Sequence, residues 1–172
     1  MVPPAPPPSP PPPGPPPGLI VTAGAPKVLL FGLSFSGFAQ GPAVAVTGGA
    51  LHMMEVAFEN NSASAIVVSG GECVVEGGRF EHNVAGDDVD GGAMRLLGGR
   101  VDLQGGTFAH NSGRNGGAVF VNGSGDVWLS AATFTDNIAA EKGGAMFVTH
   151  ARATLANGSL VKDSNQIGRA HV

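Results

Sequence analysis

The stretches Phe58-Glu-Asn-Asn61, Phe80-Glu-His-Asn83, Phe108-Ala-His-Asn111 and Phe134-Thr-Asp-Asn137 decide the fold, because one Phe-x-x-Asn unit returns four times in a single chain. Phe35 and Leu160 extend the series, and successive anchors lie 23, 22, 28, 26 and 26 residues apart. Self-similarity at periods of this size marks a solenoid, a propeller or an array.

The residues in front of each anchor choose among these. Seven positions before it stand Val28, Leu51, Cys73, Val101, Val127 and Ala153, and five before it stand Leu30, Met53, Val75, Leu103, Leu129 and Leu155. Both columns are apolar throughout, whereas the position between them reads Leu29, His52, Val74, Asp102, Trp128 and Thr154. That is the period of two of a strand with one face inward. A second strand follows an aligned column of Ala43, Ala65, Ala93, Ala118 and Ala145, three of them inside Gly-Gly-Ala. Its inward pairs are Val44/Val46, Ile66/Val68, Met94/Leu96, Val119/Val121 and Met146/Val148.

The turns joining these strands, TGGA, SGGE, LGGR, NGSGD and THAR, have nearly constant length, so every coil bends at the same place. A coil of about three short strands cannot bury its own inward face, but stacking at ~4.8 Å per rung joins the columns into one core. No L-x-x-L-x-L pattern supports a leucine-rich repeat, and a propeller blade needs four antiparallel strands. The prediction is an all-β, right-handed parallel β-helix of about six coils over residues 18–166, the last cut short, since β-crossover-β connections are almost always right-handed.

Composition agrees with this and removes other classes. The 172 residues include 28 Gly and 14 Pro but only 13 % charged residues. A net charge of -4 offers no basic footprint for nucleic acid. With Cys73 as the only cysteine, disulfide frameworks and cysteine-based zinc sites fall away. Mean hydropathy is +0.16, yet Pro26, Lys27 and glycines interrupt the most apolar stretch, Leu19 to Ala39, which suits strands better than a membrane span. No secretory signal opens the chain, because prolines follow Met1 and Val2 at once.

Both ends read differently from the repeat. Residues 1–17 hold twelve of the fourteen prolines and read as a polyproline II linker that cannot pack a core. Residues 167–172, Ile-Gly-Arg-Ala-His-Val, follow no repeat and back-translate to a string resembling a sequencing-library adapter, so they are set aside as read-through.

The paired Gly-Gly-Ala-(Met/Val) and Phe-x-x-Asn motifs resemble the repeats of the chlamydial polymorphic outer membrane proteins, over roughly residues 35–166, and so place the chain near the pectin-lyase-like β-helices. Ser9-Pro10-Pro11-Pro12-Pro13 resembles the Ser-Pro4 unit of extensin-type wall glycoproteins. These resemblances imply an extracellular or cell-surface module that is structural or adhesive. Related β-helices include pectate-lyase-like and polygalacturonase-like enzymes, so a polysaccharide-degrading enzyme is the alternative. Its material would be Asp87-Asp88 with Arg95 or Arg100, while the Gly-His-Gly and Arg-x-Lys signatures are absent.

Each candidate site has a plainer structural explanation beside it. Asn61, Asn83, Asn111 and Asn137 occupy one column and are expected to form an amide ladder. Cys73 sits in an apolar inward column and is expected as a buried thiol. His82, His110 and Asp136 fall two residues after successive anchors; they could grip a divalent metal or titrate together, but the column continues through Gly37, Asn60 and Lys162, as a solvated turn would. Asp87, Asp88 and Asp90 lie in the longest departure from the repeat, where they could offer oxygens to Ca2+ or form an acidic solvated loop; the missing closing Glu favours the loop.

Phe120 and Phe147 share an outward column with Ala45, Val67 and Arg95, and Trp128 points outward from the neighbouring strand. They form a candidate ligand surface, or else lie under a flanking loop or missing coil. Asn60, Asn122 and Asn157 begin Asn-x-Ser sequons. No cofactor is expected. The expected partners are wall polysaccharide or a surface protein, with self-association through uncapped coil ends.

Overall fold

The computed structural model describes residues 18–86 and 88–162. The Pro-rich segment, Asp87 and residues 163–172, which include the hexapeptide expected to be read-through, lie outside the described residues. The chain winds into a right-handed parallel β-helix whose rungs build three six-stranded parallel sheets.

The first sheet stacks Leu19–Val21, Val44–Val46, Ile66–Val68, Met94–Leu96, Val119–Asn122 and Met146–Thr149. The second stacks Val28–Phe31, Ala50–Met54, Glu72–Glu76, Arg100–Gln104, Asp126–Ser130 and Arg152–Ala156. The third holds the Phe anchors in Ser34–Ser36, Ala57–Glu59, Arg79–Glu81, Thr107–Ala109 and Thr133–Thr135, followed by Leu160–Lys162. A fourth sheet, absent from the three-strand reading of the sequence, pairs Ser112–Asn115 with Ile138–Lys142 in the long connections from the third sheet back to the first.

The columns read from sequence are the observed registers: Leu51 pairs with Cys73, Cys73 with Val101 and Val101 with Val127, two residues before Met53, Val75, Leu103 and Leu129 in the same strands. Their inward side chains form one continuous buried core with Ile66, Met94, Leu96 and Met146. Through it runs a stack of phenylalanine rings. Centroids from Phe35 through Phe58, Phe80 and Phe108 to Phe134 lie 4.8, 5.1, 4.5 and 4.8 Å apart, with interplanar angles of 11° or less. Rung spacing dictates this parallel geometry, because each ring leaves an equivalent backbone position one rung above the last.

The Gly-Gly-Ala motif has a steric cause. In the fourth coil Gly116 has φ of +63°, and a Cβ on Gly117 would sit 2.4 Å from the carbonyl oxygens of both Gly144 and Ile138. The first glycine supplies a left-handed turn and the second lets neighbouring rungs approach, after which the aligned alanine fits a fully buried position.

Two expectations for the last coil are corrected. Phe134 pairs with Val161, and Leu160 pairs with Thr133, so Leu160 does not continue the Phe column. Lys162 pairs with Thr135 and therefore leaves the His82-His110-Asp136 column. The cause is one extra residue at the corner: four steps run from Ala156 to Leu160 where three run from Ser130 to Thr133. Ser159 accommodates it, donating its backbone N–H to Ala156 O at 3.2 Å and its hydroxyl to Leu129 O at 3.3 Å.

Candidate functional site

The asparagine column is an interior ladder. Asn61 Nδ2 donates to Asn83 Oδ1 at 2.7 Å, Asn83 Nδ2 to Asn111 Oδ1 at 2.9 Å, and Asn111 Nδ2 to Asn137 Oδ1 at 2.9 Å. The same oxygens accept the backbone N–H of the preceding asparagine, at 3.1 Å for Asn83 onto Asn111 and 3.0 Å for Asn111 onto Asn137. Each second Nδ2 proton goes to a Phe carbonyl of the preceding rung, as from Asn111 to Phe80 O at 2.9 Å. All four asparagines are buried, and the amide's two donors and two lone pairs fit this position, which neither Asp nor Leu could satisfy.

One residue before each asparagine, the backbone turns left-handed: φ is +54° at Asn60, +54° at His82, +53° at His110 and +51° at Asp136, continuing Gly37 at +74°. Asn, Asp and His are the non-glycine residues enriched in this region, so the corner accounts for the residue types in the column. The His82 and His110 rings stack with centroids 4.9 Å apart and planes 28° apart. Among the described residues no group of three or more His, Cys, Asp or Glu side chains is placed to hold a metal ion.

The acidic loop differs from a solvated one. Asp90 is only 5 % exposed, and its carboxylate accepts two parallel bonds from Arg114, Nε to Oδ1 and Nη2 to Oδ2, each at 3.0 Å. Asn115 Nδ2 donates to Oδ1 at 2.9 Å, and the Ser64 hydroxyl donates to the Asp90 backbone carbonyl at 3.1 Å. Three successive long connections are thereby fastened at one residue, so Asp90 is withdrawn from a Ca2+ role while Asp88 stays exposed. Burial pushes the carboxyl pKa up, but the bonds from Arg114 and Asn115 and the charges of Arg114 and Arg95 outweigh it, leaving the pKa below the usual carboxylate value.

That shift sets a sign. A depressed folded-state pKa adds stability above the unfolded value, about 3.9, and loses it as pH falls toward the folded value. Asp90→Asn is expected to cost about 1–3 kcal/mol near pH 7, discounted because Arg114 remains partly exposed, and to lessen the acid sensitivity of unfolding below about pH 4. Urea unfolding at pH 7 and pH 3 checks this; equal losses at both pH values would contradict the assignment. Neither Arg114 nor Asn115 falls in a repeat column, so sequence spacing carried no signal for this cluster.

The aromatic surface is corrected. Phe120 is 5 % exposed, lying between Arg95 and Phe147 in register, and a Cβ on Gly91 would sit 3.1 Å from its Cβ, so the acidic loop closes over it. Phe147 is half-buried, its ring 6.0 Å from that of Phe120 and beneath Lys142 Nζ at 5.8 Å. Trp128 is 45 % exposed but belongs to the second sheet, whereas the two phenylalanines belong to the first.

Arg95 is half-buried on the first sheet's outward column and makes no hydrogen bond or ion pair among the described residues; its Nε is buried without an acceptor. Cys73 is fully buried and its thiol is pushed up to about 12, chiefly by burial and further by Glu72, which leaves it protonated at neutral pH. Of the sequon asparagines, Asn60 and Asn157 are exposed at corners and Asn122 is half-buried opposite Thr149. No described helix is long and apolar enough to cross a membrane. No family model, curated protein or solved structure matches the chain.

Proposed function

We propose that the chain is a noncatalytic module of an extracellular or cell-surface protein, a structural and adhesive β-helix like the polymorphic outer membrane protein repeats it resembles, and that it holds acidic wall polysaccharide on the outward column of the first sheet. The observation that carries this reading is Arg95: a half-buried guanidinium beside Phe120 with no acceptor in the described chain. A buried charged donor left unmade is costly, and a carboxylate arriving from outside would engage its remaining nitrogens. Phe147, two rungs from Arg95 in the same column, and Lys142, whose Nζ lies over the Phe147 ring, add an apolar face and a second cation for a sugar acid.

The alternative, a polysaccharide-degrading enzyme, would draw on Asp87, outside the described residues, and the exposed Asp88 with Arg95 or Arg100, whereas the neighbouring Asp90 is committed to Arg114 and Asn115. The test is retention on immobilised polygalacturonate. Arg95→Gln combined with Phe147→Ser is expected to weaken binding at least about tenfold, the equivalent of one lost charge-assisted bond, while β-sheet circular dichroism stays intact. Phe120 is left in place because it is buried. Unchanged retention would overturn the site, and unsaturated or reducing sugar ends released by the wild-type chain would favour the enzyme.

A further inference from the structure

His82 and His110 stand at equivalent corners of adjacent rungs, and no other described histidines share a column. The other described histidines are engaged, His52 with Glu76 at 2.8 Å and His150 with the Thr149 hydroxyl at 3.0 Å. The rings of His82 and His110 stack on each other: both residues are exposed, and neither ring makes a hydrogen bond or ion pair among the described residues. Their backbones are fixed, since His82 N–H donates to Ala109 O and His110 N–H to Thr135 O, each at 3.1 Å. Lys162, which would have placed an ammonium on this column, pairs elsewhere.

We propose that His82 and His110 form a two-imidazole site for a borderline divalent transition-metal ion, Zn2+, Ni2+ or Cu2+, bridging the third and fourth coils. Imidazole is a ligand these ions favour, at about 2.0–2.1 Å, so two nitrogens in cis positions lie roughly 3–3.5 Å apart. The rings already face one another at 4.9 Å with planes opened by 28°. Reaching that separation requires each ring to turn about its exposed side-chain torsions until the planes open from 28° to roughly the tetrahedral angle, which leaves the backbone in place. Water completes the coordination, and Asp136, on the next rung, contributes charge and no bond.

The ligands come from residues 28 apart in sequence, so only the folded chain presents them together, and the ion must stabilise the fold. Titration of the purified chain with ZnCl2 or NiCl2, followed by calorimetry and thermal unfolding, is expected to show one ion per chain and a Tm raised by about 5 °C at a hundredfold excess over Kd, reversed by EDTA. His82→Asn with His110→Asn should abolish both effects. Asparagine already occupies this corner at Asn60 with the same φ, so the double variant should keep the metal-free Tm. Asp136→Asn should leave ion binding within about twofold of wild type. Binding that survives in the double variant, or binding that leaves Tm unchanged, overturns the proposal.

Discussion

Replacing Asn111 by alanine is expected to lower stability by about 4 kcal/mol, one of the two largest losses from a single side chain in this molecule. Its amide makes four bonds: Nδ2 donates to Phe80 O and to Asn137 Oδ1, and Oδ1 accepts the Asn83 backbone N–H and Nδ2. Alanine orphans the Asn83 N–H and one Asn83 amide proton inside a column that excludes water, and each buried orphan costs about 1–3 kcal/mol. Position within the stack modulates the loss. Asn61 lies near one end, where its oxygen accepts only the Phe38 N–H, so Asn61→Ala should cost about half as much. Because coils couple only to their neighbours, breaking the ladder at Asn111 should also broaden the transition. Urea unfolding followed by circular dichroism checks both variants; a midpoint for Asn111→Ala equal to wild type would mean the column carries no energy.

The fold was legible because a solenoid writes its geometry into sequence once per turn. The Phe-x-x-Asn unit, the alternating apolar columns and the Gly-Gly-Ala corner each answer one fixed demand of a rung, and repetition separates that demand from chance. The last coil escaped because a single extra residue at Asn157-Gly158 shifts the register, and nothing in the local residue types distinguishes Leu160 from Val161 as the partner of Phe134. The polar cluster escaped for a different reason. Ser64, Asp90 and the Arg114-Asn115 pair sit in three connections of unequal length, so their meeting depends on how three loops fold over one another, which no period encodes. The burial of Phe120 follows from the same closure: an outward position on a strand predicts exposure only where no loop crosses it. The left-handed corner was visible only as a mixture of Gly, Asn, His and Asp, and only the positive φ values gave that mixture one cause.

Phe108→Ala is expected to match the asparagine loss, at about 3–5 kcal/mol, the range for deleting a buried aromatic ring. Phe108 lies between Phe80, at 4.5 Å and 1°, and Phe134, at 4.8 Å and 11°, and is fully buried. What a core truncation costs depends on how far its surroundings collapse into the space left behind. Here collapse is opposed on both sides, because Phe80 and Phe134 are held by strands whose separation is set by backbone hydrogen bonding to Thr107–Ala109. The cavity should therefore persist, which puts the loss toward the upper end of that range. Phe35, half-buried with one stacking partner, supplies the comparison, and Phe35→Ala should lose less than half as much. Phe108→Leu, which refills part of the volume, should recover about half of the loss. Thermal unfolding of the three variants decides the matter: if Phe108→Ala and Phe35→Ala lose the same stability, the ring column is not a cooperative core and the inward columns of the first and second sheets carry the stack instead.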